Sequence, residues 1–359
     1  MDILLGQGCA DDKNIDKHTV WRLNPNDTQL TDLKQIADSI YLVPLETNDS
    51  CLIKKVHSLT YMYNHFYINN NQIDIQVYDG EGNFLYGTAK HLGSGPHDYL
   101  SAMSFCVLGK DSFEVCDPIS LQVCTFSYPK GLVDKWRFPE EVLPIMQYEY
   151  LNQDTCVFID GINLKFYSRS SQKIIKELKG KHKVQFSKTS WALHKQGKSL
   201  YCSDIFPSNE LYVLTEDLEK KLVLQLDFGK HNFSLMNLSG DFAPEHYYAY
   251  MDEHPEYAYP FQKFISDDRY LAYFQFEGKL CVAFKHGKDG QTFLFRNESY
   301  SRHQLMIPHH VDEGKVYYAA EPAYLPFVVD TTLMSREDID RMNRVSEMDN
   351  PIIVVYCLR

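Results

Sequence analysis

The sequence predicts an all-β fold, a six-bladed propeller built from four-stranded antiparallel blades. Short strand-like runs separated by turn residues recur in about six groups of roughly 35 to 50 residues each, which is the period of propeller blades. Residues 73–78 are typical, because the turn Asp79-Gly80 follows them and Asp-Gly between two alternating apolar runs indicates a hairpin. The 25 tyrosines and 21 phenylalanines also favour strands over helices.

A ring of blades has to be closed, and the two ends of the chain offer strands that can close it. Residues 40–45 read as the first strand, and the apolar run 352–356 reads as the last one. We predict that these two strands share the last blade, an arrangement that leaves few exposed sheet edges.

Two segments interrupt the β pattern and are predicted to be short helical insertions. The first covers residues 244–257 and the second covers residues 335–348. In the second segment Ser335 is placed to cap the helix, with Asp338 three residues further on. Neither segment is long enough to form a separate domain.

Length and charge narrow the range of functions. A chain of 359 residues, 44% of them hydrophobic, can bury a large core without disulfide staples. The formal net charge is −12, which repels phosphate backbones and anionic lipid headgroups. Nucleic acid is therefore not an expected partner, and we predict contact with a membrane only through a lipid anchor.

The N-terminus resembles the end of a bacterial lipoprotein signal. Residues 1–9 combine a short apolar stub with small residues and end in Cys9, the candidate for lipidation. We predict that residues 1–26 are a signal remnant and flexible tether and that residues 27–359 form the propeller. The expected location is the cell envelope, where a lipid would anchor the protein in the outer membrane or at the cell surface. A cytoplasmic location is the alternative.

Most of the nine cysteines lie in strand-like runs and are expected to be buried free thiols. Cys106, Cys116 and Cys124 form a special case. If the two turns between them are simple hairpins, the three lie side by side on adjacent strands, where a cross-strand disulfide is sterically feasible. Their spacing does not favour a metal site, and we predict neither a metal nor any other cofactor.

Four passages together resemble the six-bladed, NHL-like β-propeller lipoproteins of gut Bacteroidetes, which are mostly of unknown function. The passages are Val43-Pro44-Leu45-Glu46-Thr47, residues 75–85, Gly93-Ser94-Gly95-Pro96-His97-Asp98-Tyr99-Leu100, and Asp349-Asn350-Pro351. His97 and Asp98 stand where the family usually has Gly and Glu. The resemblance implies a six-bladed fold over residues 40–359 and a lipidated Cys9, and it supplies no established catalytic residues.

Two segments are candidate ligand sites. The first is the loop 93–99, where two glycines let the backbone approach a ligand and His97, Asp98 and Tyr99 offer polar groups. The alternative is a plain connection between blades. The second is an aromatic platform in the first helical insertion, where tyrosines can stack on a sugar or peptide or can simply pack the insertion onto its blade. Its members are His246, Tyr247, Tyr250, Tyr257 and Tyr259.

No catalytic signature stands out. The sequence has no Gly-x-Ser-x-Gly elbow and no helical His-x-x-x-His pair. His309 and His310 are adjacent on a predicted strand, so their side chains point to opposite faces and do not bind one metal together. We predict a non-enzymatic, envelope-associated binding or scaffold protein whose ligand is a carbohydrate, a peptide or a partner protein. The alternative is a hydrolase or lyase acting on a glycan or lactone in the propeller channel.

Overall fold

The structure is a computed structural model that describes residues 19–160, 163–180, 192–203, 208–234, 244–298 and 303–359. Its strands form six sheets, and the predicted six-bladed propeller with antiparallel blades is confirmed. Short strands appear because runs of four to eight residues that are rich in apolar, β-branched and aromatic side chains each end at turn residues.

The first half of the chain provides three leading strands and three blades. The leading strands are β1 (Thr19–Arg22), β2 (Gln29–Leu30) and β3 (Ala37–Pro44). Blade 1 contains β4 (Val56–Met62), β5 (His65–Asn70), β6 (Asp74–Asp79) and β7 (Phe84–Gly87). Blade 2 contains β8 (Ser104–Gly109), β9 (Ser112–Asp117), β10 (Gln122–Ser127) and β11 (Gly131–Arg137). Blade 3 contains β12 (Gln147–Tyr150), β13 (Thr155–Ile159), β14 (Leu164–Ser168) and β15 (Lys173–Leu178).

The described ranges of the second half provide the remaining blades and three α-helices. Blade 4 contains β16 (Leu193–Gln196), β17 (Ser199–Cys202), β18 (Glu210–Leu214) and β19 (Lys220–Asp227). Blade 5 contains β20 (Tyr259–Ser266), β21 (Arg269–Phe276), β22 (Lys279–His286) and β23 (Thr292–Arg296). Blade 6 contains β24 (His310–Asp312), β25 (Lys315–Ala320), β26 (Ile352–Leu358) and β3. The helices are α1 (Pro244–Glu253), α2 (Leu325–Val328) and α3 (Arg336–Met342).

The core lies between the blades, where apolar faces of neighbouring sheets pack on each other. Between blades 1 and 2, the ring of Tyr67 meets the ring of Phe113 edge to face, with centroids 5.8 Å apart. Comparable clusters fill the other junctions around the ring. Because each blade is buried on both faces, the middle strands are almost continuously apolar.

The ring closes in blade 6, as predicted. Strand β26 pairs with β3 in antiparallel register, from Ile352 opposite Pro44 to Cys357 opposite Ser39. Strand β3 is therefore the outermost strand of blade 6, and the C-terminal strand β26 lies next to it.

Three of the four passages that carry the family resemblance, residues 43–47, 75–85 and 349–351, meet at this closure. Asn350 donates from Nδ2 to the carbonyl oxygens of Glu46 (2.7 Å) and Cys51 (2.8 Å), and its Oδ1 accepts from the N–H of Ile53 (2.8 Å). The Glu46 N–H donates to the Gly82 carbonyl at 2.8 Å, which ties the turn of blade 1 to the end of β3. Gly82 has φ +91°, and a Cβ there would lie 2.1 Å from the Pro44 carbonyl oxygen, so this turn requires glycine.

The N-terminal segment adds strands to two further blades. Strand β1 runs parallel to β19 at the edge of blade 4, and β2 runs parallel to β23 at the edge of blade 5. The indole Nε1 of Trp21 donates to Thr292 Oγ1 at 2.9 Å, so this segment also joins the two blades. Residues 19–30 thus cover sheet edges that would otherwise be exposed.

Both helical insertions exist, but each helix ends earlier than predicted. Helix α1 ends at Glu253 and not at residue 257, since Pro255 disfavours helical backbone at the residue before it. Helix α3 starts as predicted, with the Ser335 side chain accepting from the Asp338 N–H, but ends at Met342 and not at residue 348. Asp338 is buried and accepts from the N–H of Leu42 at 3.0 Å, which fastens α3 to the outer edge of blade 6.

The eight cysteines in the described ranges are all free thiols. The condition for Cys106, Cys116 and Cys124 to lie side by side, two simple hairpins, is not met: they lie opposite Glu114, Val123 and Val115, respectively. The first hairpin has a bulge between Val107 and Gly109, and Cys106 is two residues away from the position opposite Cys116. The second hairpin is shifted by one residue, which moves Cys124 to the other face of the sheet from Cys116.

Replacing Asn350 with alanine should destabilise the propeller, because three backbone groups at the closure would lose a buried partner. We expect a loss of about 2–4 kcal/mol in the free energy of unfolding. Urea denaturation followed by tryptophan fluorescence measures this loss. Met348→Ala is the matched control, since Met348 is 85% exposed in the same segment. Equal stability of the two variants would contradict the role of Asn350.

Candidate functional site in the central channel

The first strand of each blade lies innermost, so the strands β4, β8, β12, β16, β20 and β24 surround a central channel. In each blade the second strand hydrogen-bonds to one edge of the first strand, and the other edge of the first strand faces the channel. The channel holds a cavity of about 540 Å³. Its lining comes from all six blades, and it is not filled by apolar side chains.

The lining combines polar and apolar groups. The polar side chains are Lys55, His57, Ser58, Thr60, Asn71, Gln72, Ser104, Gln147, Tyr148, Glu149, His194, Lys195, His309 and His310. The apolar ones are Leu59, Met62, Met103, Phe105, Val107, Ile145, Met146, Ile159, Ala192, Leu193, Phe264, Pro308 and Val311. Asn71 and Gln72 lie in the turn between the second and third strands of blade 1, and Ile159 ends the second strand of blade 3, so the cavity reaches the face where the innermost strands begin.

Two histidines at this end are held by hydrogen bonds. The backbone N–H of Ala319 donates to His309 Nδ1 at 3.1 Å, which places the ring proton of His309 on Nε2. The Gln72 amide donates from Nε2 to His57 Nε2 at 3.2 Å, which places the His57 proton on Nδ1. Burial lowers the pKa of His309 to about 4, with a further contribution from His57, and burial followed by the Lys55 charge lowers the pKa of His57.

Two other histidines of the lining, His194 and His310, belong to blades 4 and 6. The ring of His194 stacks on Tyr201 at 5.1 Å between centroids and meets Phe264 edge to face at 5.2 Å. Burial lowers the pKa of His194 to about 3, with smaller contributions from His310 and Lys263. Burial also lowers the pKa of His310 to about 4. All four channel imidazoles are therefore neutral at pH 7.

A carboxylate and an ammonium group lie on neighbouring inner strands. Lys195 Nζ is 3.5 Å from Glu149 Oε1, and the Cys106 thiol donates to the same oxygen at 2.8 Å. Burial first, and then the adjacent Glu149 charge, raises the pKa of Cys106 well above its usual value. The thiol therefore stays protonated and is not an activated nucleophile.

A second carboxylate, Glu114, is buried behind the channel wall between blades 2 and 3. It accepts from the hydroxyl groups of Tyr148 (3.0 Å) and Tyr150 (2.9 Å) and from Trp136 Nε1 (3.2 Å). Arg169 Nη1 lies 3.8 Å away and compensates part of the charge. Since Tyr148 also lines the cavity, this network holds part of the channel wall in place.

A metal site is not assembled within the described ranges, where no three His, Cys, Asp or Glu side chains converge closely enough to hold an ion. The adjacent His309 and His310 have separate surroundings, since the ring of His309 lies against Tyr318 and that of His310 against Tyr317.

The predicted loop site lies outside the channel. Tyr99 is fully buried, and its hydroxyl group bonds Thr88 Oγ1 at 2.6 Å. Asp98 Oδ2 accepts from the N–H of Gly95 at 2.9 Å, and a Cβ on Gly95 would approach that oxygen to 2.6 Å. The glycine therefore makes room for Asp98. His97 is exposed.

The predicted aromatic platform is a packed cluster around Phe233, a residue that the sequence did not single out. The Phe233 ring lies 5.0 Å from Tyr259 and 6.0 Å from Tyr247, both of which are fully buried. Tyr250 and Tyr257 are half-buried at its rim. Helix α1 contains His246, whose side chain lies outside the described part of the structure, as does Cys9.

Sequence reasoning missed the channel site, although a signal was present. His57 and His194 are each the second residue of a first strand, and His310 begins one. A polar residue that recurs at the start of the innermost strand indicates a channel lining once the blades are aligned.

Comparisons with known proteins place the chain among proteins of similar fold. A Bacteroides fragilis protein described as exported is 14% identical, with a TM-score of 0.74 over 96% of this chain and all of that one. A member of the DUF4221 family from Bacteroides vulgatus is 10% identical, with a TM-score of 0.49 over 90% of this chain and 99% of that one. No curated protein matches significantly. The model of a family described as a domain of unknown function, DUF4934, matches residues 19–357.

The neutral histidines should make stability depend on pH. A pKa that is lower in the folded state than the unfolded value of about 6.5 means that the unfolded chain binds more protons. The free energy of unfolding should therefore fall as pH decreases from about 6.5 to about 4. Replacing both His194 and His310 with glutamine should flatten this fall by up to about 1.4 kcal/mol per pH unit for each histidine.

Urea denaturation at several pH values between 4 and 6.5 measures this slope. If the slope of the unfolding free energy against urea concentration is the same in both proteins, the variant exposes the same surface on unfolding. Identical pH slopes in the double variant and the natural chain would contradict the assignment of buried neutral rings.

Proposed function

The chain belongs to the DUF4934 family, and we propose that it is an exported, non-enzymatic binding protein that holds its ligand in the propeller channel. The proposal depends on one observation above all, the channel cavity of about 540 Å³ with a mixed polar and apolar lining. Small-molecule sites have volumes of about 300–1,000 Å³ and combine apolar walls with a few placed polar groups.

The lining favours a neutral ligand such as a carbohydrate or a short peptide. Each neutral imidazole carries one hydrogen-bond donor and one acceptor, although Gln72 and Ala319 already occupy the acceptors of His57 and His309. The unpaired edges of the inner strands add backbone N–H and C=O groups of the same mixed kind. Of the charged side chains, Glu149 and Lys195 are directed at each other, which weakens selection for a strongly charged ligand.

The protonation states support binding over acid–base catalysis. A general base works best with a pKa near the pH of the reaction. The His194, His309 and His310 pKa values of about 3 to 4 make these rings weak bases at neutral pH, and the Cys106 thiol is protonated. The alternative is a hydrolase or lyase that acts on a glycan or lactone in the channel. Such an enzyme would release a product, whereas a binding protein would leave its ligand intact.

The cell envelope is the proposed location. The similar Bacteroides fragilis structure is described as that of an exported protein, and the net charge of −12 gives no electrostatic affinity for an anionic membrane. Attachment would instead use a lipid on Cys9. No helix in the described ranges is long and apolar enough to cross a bilayer.

Narrowing the channel should weaken ligand binding. Thr60 is half-buried and lines the cavity, so Thr60→Trp would fill part of the space that the ligand needs. We expect at least a tenfold loss of affinity for any oligosaccharide or short peptide that binds the natural chain, measured by isothermal titration calorimetry.

The matched control is Leu108→Trp, which adds the same ring at an exposed position of the inner strand β8. Circular dichroism and thermal unfolding establish that both variants fold. Undiminished binding by folded Thr60→Trp would place the ligand elsewhere, and release of a cleaved product from a bound glycan would favour the enzymatic alternative.

Lipid attachment is tested separately from binding. Cells that express the full chain and grow with an alkyne-labelled fatty acid should incorporate the label into the natural protein, and Cys9→Ser should abolish incorporation. Cys357→Ser is the control, because it removes a thiol in the folded domain that is not buried completely. Equal labelling of the natural protein and the Cys9→Ser variant would refute anchoring at Cys9.

A further inference from the structure

Two imidazole nitrogens in the channel are buried without a hydrogen-bond partner. They are the Nε2 atoms of His194 on β16 and of His310 on β24. Buried polar atoms in native proteins nearly always have a partner, and an exception indicates a group that binds something further. Both residues belong to the lining of the cavity.

The fold brings these two histidines to the same part of the channel. They come from blades 4 and 6, which blade 5 separates along the chain. Gln196 Nε2 donates to the carbonyl oxygen of Val311 at 3.1 Å, so β16 and β24 approach each other directly beside the two rings. Phe264 of blade 5 packs edge to face on His194 and forms an apolar wall next to them.

The tautomer of each ring determines what its unpartnered nitrogen requires. A neutral imidazole nitrogen donates a hydrogen bond when it carries the proton and accepts one when it presents a lone pair. A ligand group that both donates and accepts therefore serves Nε2 of His194 and of His310 in either tautomer.

A metal ion is not the partner that the described residues favour, because they place no third His, Cys, Asp or Glu side chain near the pair.

A hydroxyl group fits what remains. A hydroxyl group donates one hydrogen bond and accepts two, so it can partner the Nε2 atom of either ring in either tautomer. It partners both rings at once when at least one of the two Nε2 atoms carries its proton. A peptide N–H can only donate, so it partners only an Nε2 atom that presents a lone pair. We propose that His194 and His310 form a subsite for a hydroxyl group of a neutral polyol or saccharide ligand. This inference rests on the proposed binding function and specifies its ligand class.

The test uses the full chain with glycerol, erythritol, glucose and cellobiose as probes. Long-range ¹H–¹⁵N spectra report directly on the imidazole nitrogens. A bound probe should shift the Nε2 signals of His194 and His310 and leave the exposed His286 unchanged. Absence of a shift with all four probes would overturn the subsite.

Variants separate this subsite from channel binding in general. His194→Leu and His310→Leu should each lower the affinity for the best of the four probes about tenfold, measured by calorimetry. His310→Gln, which keeps a polar group able to accept a hydrogen bond, should retain most of the affinity. His286→Leu is the control for the loss of a histidine outside the channel.

The outcomes distinguish the two proposals. Unchanged affinity in both leucine variants overturns the subsite, even if Thr60→Trp still blocks binding and so supports the channel. Binding of peptides alone, again blocked by Thr60→Trp, would overturn the hydroxyl subsite and support the proposed function. Probe binding that Thr60→Trp leaves intact would contradict the proposed function itself.

Discussion

The pairing of β3 with β26 is the interaction on which the propeller depends, because it brings both ends of the chain into blade 6. Without it, blade 6 would lose its outer strand and its junction with blade 1. Asn350 and Glu46 reinforce this junction with hydrogen bonds to backbone groups on both sides. The channel wall continues across it, since His57 lies on blade 1 and His309 precedes the first strand of blade 6. Closure of the ring and assembly of the channel are thus the same structural event.

The character of the channel follows from this enclosure. Imidazole rings that would titrate near neutrality in water are surrounded by six blades, so burial disfavours their charged form. Neutral rings then line a cavity that remains large enough for a ligand. The same enclosure keeps the Cys106 thiol protonated. Burial therefore makes the imidazole rings weak bases and keeps the thiol protonated. Both kinds of group can still form hydrogen bonds.

The four sequence passages that resemble the lipoprotein family have structural roles at the ring closure and between blades. Gly82 is required because its turn packs against the Pro44 backbone, and Gly95 makes room for the Asp98 carboxylate. Tyr99 is buried and bonds Thr88. The channel residues, in contrast, belong to no such passage. Each is an ordinary polar residue in a strand, and only alignment of the blades would have drawn attention to it.

The sequence by itself determined the blade count, the closing pair and the start of α3, because turn chemistry, alternation and capping act over a few neighbouring residues. The end of α1 is a local signal of the same kind, since Pro255 follows it. Tertiary structure decided the rest, and the bulge between Val107 and Gly109 is an example, because it changes the cysteine register. His57, His194 and His310 are more than a hundred residues apart in sequence, and only the closed ring gives them a common cavity. That proximity depends on every blade junction between them, which no local pattern encodes.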